Sequence, residues 1–158
     1  MTEQTASHPI YLETNVFIRA VEGLEGASLL PKKLMASLRG RPTLAVTSEI
    51  TLAEVLAPTK RPQAMPFPMK QRAYLDLLVW SNFIKLLPVS RKLLIETADL
   101  RRVTSLKLPD AIHLASATEA NCRFFVSHDE DFRKLPVGMI RVNPDDEHGI
   151  DRLLSAIV

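Results

Sequence analysis

Short apolar runs alternate along the chain with longer stretches whose apolar residues recur every three or four positions. Pro9-Ile10-Tyr11-Leu12 is a compact β-prone run and reads as a buried strand. Asn15 to Val21 follows as a helix, and Leu29 to Leu38 as another, with Leu30, Leu34 and Leu38 spaced by four. Thr43-Leu44-Ala45-Val46, bounded by Arg41-Pro42, is the next strand. Thr47-Ser48 then reads as an N-cap for a helix over Glu49 to Ala57. Pro58, Pro62, Pro66 and Pro68 mark a loop that carries Lys60 and Arg61. Helical spacing resumes from Met69 to about Trp80, and Phe83 to Leu87 is a strand. Ser90 to Val103 is helical, and Pro109 opens a helix that ends near Ala120. Arg123 to Val126 and Met139 to Val142 are the last strands, before a closing helix over Gly149 to Ile157.

Strands separated by helices pair in parallel, so the expected class is α/β, a sandwich with helices on both faces of the sheet. Ligands in such sheets bind beyond the carboxyl ends of the strands. At 158 residues, 46% apolar and 24% charged, the chain is expected to form a single domain over residues 1–158. Cys122 has no second thiol to pair with and reads as an inert thiol of a reducing compartment. No apolar run reaches the ~18 residues a membrane span needs, and Met1 to Pro9 lacks an apolar signal core. The expected location is the cytoplasm.

A net charge of +2 does not by itself announce a nucleic-acid binder. Lys32, Lys33, Arg39, Arg41, Lys60, Arg61, Lys70 and Arg72 nonetheless all fall in the first half. They read either as a basic face for phosphates or as a solvated surface.

The acids carry more. Glu13 directly follows the first strand, and Asp129 follows Phe124-Phe125-Val126 after Ser127-His128. Glu54 has Ile50, Ala53 and Ala57 as its helical neighbours, so its charge must be paired, protonated, metal-bound or placed at the edge of that apolar stripe. Asp110, just after Pro109, reads as a helix-opening acid and shares a side with His113. Converging carboxylates repel and raise one another's pKa, a conflict that Mg²⁺ or Mn²⁺ resolves through oxygen ligation. No Gly-rich phosphate loop, GxSxG or HExxH motif is present. His8, His113, His128 and His148 are scattered and read as packing or surface residues.

Four segments in order resemble the PIN-domain family, particularly VapC-type toxins of bacterial toxin–antitoxin pairs. They are Ile10 to Ile18, Thr47 to Leu56, Leu108 to Ala117 and Phe125 to Phe132. The resemblance implies a three-layer α/β/α sandwich with a central, mainly parallel sheet, and Mg²⁺- or Mn²⁺-dependent endonuclease action on RNA. It makes Glu13, Glu54, Asp110 and Asp129 the acidic quartet, with Glu13, Asp110 and Asp129 holding metal. Asn15, Ser48 and Ser127 become supporting residues. Asp131 joins them as a further supporting acid, or is a surface residue or a cap of the turn before Phe132. Lys60 and Arg61 are assigned to RNA phosphates. A cognate antitoxin is the implied partner, a homodimer is left open, and no membrane is involved.

The family's first motif usually begins with Asp, whereas this chain has Glu13, whose carboxylate stands roughly 1.5 Å farther from the backbone. Mg²⁺ tolerates little deviation from octahedral geometry. The alternative expectation is therefore a catalytically weak PIN fold that binds RNA or protein.

Overall fold

The computed structural model describes residues 8–23, 25–60 and 64–157. Five parallel strands form one sheet: β1 (Ile10–Leu12), β2 (Ala45–Ser48), β3 (Ile84–Leu87), β4 (Phe124–Val126) and β5 (Ile140–Val142), in the order β3-β2-β1-β4-β5. The chain builds outward from β1 to β3 on one side, then returns to lay β4 and β5 on the other. The topological switch point therefore lies between β1 and β4, where a crevice opens at the carboxyl ends.

Strand residues alternate between two cores even though β1 and β4 are buried on both faces. Ile10, Leu12, Ala45, Phe124 and Val126 face one core. It is completed by α1 (Thr14–Glu22), α2 (Glu25–Arg39), α3 (Ile50–Val55), α4 (Phe67–Leu75) and α7 (Glu147–Ala156) through Val16, Phe17, Leu34, Leu38, Val55, Tyr74, Ile150 and Leu153. Tyr11, Val46 and Phe125 face the other core, closed by α6 (Leu108–Glu119) through Ala111, Leu114 and Ala117. Outside α6, α5 (Arg91–Val103) packs Leu93 against Ile112 and Ala115. This is the expected α/β/α sandwich. Because α6 lies between sheet and α5, residues 111–117 are buried all round, which explains a helix almost free of charge. Thr118, one residue on, is exposed.

The elements depart from the sequence reading in several places, among them α2, which starts at Glu25 rather than Leu29, and α7, which starts at Glu147 rather than Gly149. Thr47 and Ser48 complete β2, pairing with Leu86 and Leu87, so Glu49 takes the N-cap position of α3. The Thr47 hydroxyl donates to the Leu12 carbonyl at 2.7 Å, while the Ser48 hydroxyl still accepts from the Ile50 N–H that opens the helix. Thr43 and Leu44 lie before the strand, Thr43 at a φ of 70°. Helix α4 starts at Phe67, so Pro68 sits in its first turn, where a missing N–H costs nothing. Its continuation, Asp76–Trp80, widens into a π-helical turn. Among the described residues, no helix is long and apolar enough to cross a membrane.

Candidate active site

The crevice at the switch point collects the acids from four separate segments. β1 ends at Leu12, and the Glu13 N–H donates to the Val126 carbonyl at 3.0 Å, which ties this position to the end of β4. Glu13 is also the N-cap of α1, its side chain accepting from the Asn15 N–H at 3.3 Å. Its side chain is almost wholly buried, 4% exposed. Burial raises its pKa, the attraction of His113 and the Asn15 N–H oppose that, and repulsion from Glu54 and Asp110 adds to the rise.

Asp110 stands in the first turn of α6, where the helix dipole favours an anion. Asp129 and Asp131 follow β4 in two successive turns. The Ser127 hydroxyl accepts from the Asp129 N–H at 3.0 Å, and Asp129 Oδ1 accepts from the Asp131 N–H at 2.8 Å. One carboxylate oxygen each from Asp110, Asp129 and Asp131 lies within 4.8 Å of the others. Among the described residues none of the three has a cationic partner. Burial, then repulsion from Asp129, raises the Asp110 pKa against the pull of His113. Oxygen-only donors in mutual repulsion suit a hard divalent cation.

Glu54 reaches the same crevice from α3, and its charge is paired. His113 Nε2 lies 2.6 Å from Glu54 Oε1, and the Thr14 hydroxyl donates to that oxygen at 2.8 Å. Burial would raise its pKa, but the His113 hydrogen bond and attraction, with Thr14, bring it below the ordinary value. The apolar stripe inferred around Glu54 is not there, since Ala53 and Ala57 are exposed. Behind His113, the Tyr11 hydroxyl is 2.6 Å from Nδ1. Tyr11 stacks flat on Phe125, with ring centroids 5.1 Å apart.

The structure thus gathers Asp110, Asp129 and Asp131 most tightly. Asp131, expected only as a supporting residue, supplies the third oxygen. Glu13, expected among the ligands, lies outside that trio, with Oε1 4.0 Å from His113 Nε2. Asn15 is exposed and orients Glu13 through its backbone amide. The Ser48 N–H donates to the Tyr11 hydroxyl at 3.1 Å, and its own hydroxyl accepts from the Ile50 N–H at 3.2 Å.

Sequence reasoning missed Tyr11, Thr14 and His113 as parts of the site. The one available signal was the three-residue spacing of Asp110 and His113. His128 is a packing residue as expected, its Nε2 3.2 Å from Asp145, which also holds Arg19. Burial and then Arg19 push its pKa down.

The expected basic face is partly consumed by internal contacts. Lys70 is buried and donates to the Ala57 carbonyl at 2.9 Å and the Thr59 hydroxyl at 2.8 Å. Lys33 pairs with Asp151, and the Arg39 guanidinium lies over Phe83. Lys60 is exposed, and Arg61 lies outside the described residues.

A parallel sheet with acids from four segments at its switch point is the arrangement of the PIN domain, whose family model matches residues 10–138. The chain belongs to this family of nucleases. Its fold is similar to a chain of a toxin–antitoxin complex from Klebsiella pneumoniae, at 26% identity and a TM-score of 0.61, covering 85% of this chain and 97% of that one. It is also similar to a chain of VapBC2 from Rickettsia felis bound to a DNA fragment from their promoter. There the identity is 18% and the TM-score 0.59, over 84% of this chain and 96% of that one. No curated protein sequence matches the chain.

Proposed function

We propose that this chain is a divalent-metal-dependent endoribonuclease and the toxin of a toxin–antitoxin pair. The observation that carries the reading is the convergence of Asp110, Asp129 and Asp131 oxygens within 4.8 Å without a cationic partner among the described residues. Asp110, Asp129 and Asp131 would hold Mg²⁺ or Mn²⁺, with Glu13 adding negative charge from the buried floor. When bound, the ion supplies Lewis-acid stabilisation of phosphate charge and lowers the pKa of a coordinated water. Glu54, held by Thr14 and His113, orients the attacking water by accepting its hydrogen bond. Lys60 and Arg61 contact flanking phosphates. Family membership supports the nuclease reading, and likeness to the Klebsiella complex supports an antitoxin partner.

The test sets RNA and DNA substrates side by side with Mg²⁺, Mn²⁺ or EDTA. RNA is expected to be cut to 5′-phosphate and 3′-hydroxyl ends, with all cutting lost in EDTA. Preferential cutting of DNA, or cleavage that persists in EDTA, overturns the reading. One observation favours a second reading, a catalytically weak PIN fold that binds RNA or protein: Glu13 lies outside the acidic trio. A large gain in cleavage from Glu13→Asp would select it.

A further inference from the structure

The hydrogen bonds behind Glu54 run in one direction. The Ser48 N–H can only donate, and it gives to the Tyr11 hydroxyl oxygen at 3.1 Å. Of the phenol's remaining partners, His113 Nδ1 at 2.6 Å and the Thr47 hydroxyl, Thr47 is already taken up by Thr51 at 2.8 Å, so the phenol's single proton goes to the imidazole. An accepting Nδ1 leaves the ring proton on Nε2. Nε2 faces Glu54 Oε1 at 2.6 Å, with Thr14 Oγ1 at 3.1 Å as the longer contact.

The neighbouring threonines agree with this assignment. Thr47 spends its proton on the Leu12 carbonyl at 2.7 Å, so Thr51 donates to Thr47 at 2.8 Å and has none left for Thr14. Thr14 donates to Glu54 Oε1 at 2.8 Å. Both donors reaching Glu54 therefore converge on Oε1, and Oε2 takes no hydrogen bond from a described residue. Tyr11 and His113 are fully buried, and Tyr11 is clamped on Phe125, so the relay has little room to rearrange.

We infer that His113 is a positioning residue for Glu54, held by Tyr11 as the Nε2–H tautomer at the end of a one-way chain of donors. The relay fixes the Glu54 carboxylate through one oxygen and leaves the other for the cleft. The structural part stands by itself; its kinetic consequence rests on the proposed nuclease function.

Long-range ¹H–¹⁵N correlation spectra of the histidine rings test it in the full chain near neutral pH, without metal or RNA. The wild type is expected to show His113 protonated on Nε2 and bare on Nδ1. A ring protonated on Nδ1, or on both nitrogens, overturns the proposal. Tyr11→Phe removes the donor while keeping the ring, and is expected to yield mixed tautomers. In RNA cleavage this variant is expected to lose about tenfold in kcat with KM unchanged. A Tyr11→Phe protein that keeps both the wild-type tautomer and kcat also overturns it. Should Tyr11→Phe fail to fold, the wild-type spectrum decides the matter. A wild type that cuts no RNA yet shows the Nε2–H ring overturns the nuclease reading and upholds the relay.

Discussion

His113 Nε2 and Glu54 Oε1 lie 2.6 Å apart although 59 residues separate them in the chain. The contact joins the innermost helix, α6, to the short helix α3, and it pairs the half-buried Glu54 without a lysine or arginine. Removing the ring opens a cavity and leaves both Tyr11 and Glu54 short of a partner. His113→Ala is therefore expected to cost about 2–4 kcal/mol. Urea denaturation checks this: the midpoint should fall with the slope unchanged. A loss below about 1 kcal/mol would show that the pair does not hold these helices together.

Mutual repulsion in the acidic crevice sets a pH dependence whose sign follows from the shifts. Glu13 and Asp110 have pKa values raised on folding, first by burial. Their contribution to stability is full below the unfolded carboxylate pKa and is lost as pH rises through the folded values. Glu54, lowered on folding, acts in the opposite sense: its contribution is present above the unfolded value and lost as pH falls through the folded one. At neutral pH the metal-free protein therefore carries two strained acids against one paired acid. Asp110→Asn should raise the metal-free Tm at neutral pH by roughly 1–3 °C, a small gain because Asp110 is partly exposed and screened. Mg²⁺ should stabilise the wild type and leave the variant unchanged. A lower Tm for Asp110→Asn would refute the strain.

Two lysines from the same part of the sequence are expected to behave differently. Lys70 is buried with both of its contacts on the chain, so Lys70→Met should cost about 1–3 kcal/mol of stability. Cleavage per folded molecule should not change. Lys60→Ala should leave stability within about 0.5 kcal/mol, raise KM for RNA and flatten the salt dependence of binding. Measuring denaturation and kinetics on both proteins separates the roles. Equal effects on KM would return Lys70 to the RNA surface.

Cys122 is buried, and burial pushes its thiol up to about 12. The thiolate is the reactive form. Alkylation by iodoacetamide should be negligible in the folded protein and complete in denaturant. Rapid labelling under native conditions would contradict the packing of the second core.

The fold was legible because the strands announce themselves as short apolar runs separated by helical spacing, and the order of those runs dictates parallel pairing. Thr47 was misassigned for a physical reason, unlike Ser48, whose hydroxyl does accept from the first N–H of α3: the same hydroxyl that caps a helix can satisfy a neighbouring strand's carbonyl. Thr47 does this with Leu12. The acids at the strand ends were legible from their positions, as was Asp110 from its place behind Pro109. Asp131 was ambiguous because its role depends on the two turns that bend residues 127–131 back toward α6. The partners of Glu54 were out of reach, since Tyr11, Thr14 and His113 meet only after α6 packs on the β1 face that carries Tyr11 and α3 comes up beside His113. Lys70 looked like any surface lysine until its amine was seen to bind the segment after α3.

Binding of Mn²⁺ to the metal-free protein, followed by calorimetry, tests the central claim most directly. Saturable binding is expected in the wild type, with affinity reduced about 10–100-fold or more in Asp110→Asn. A folded wild type that takes up no Mn²⁺ at millimolar concentration, or an Asp110→Asn protein that binds it equally well, would contradict a metal site at Asp110, Asp129 and Asp131.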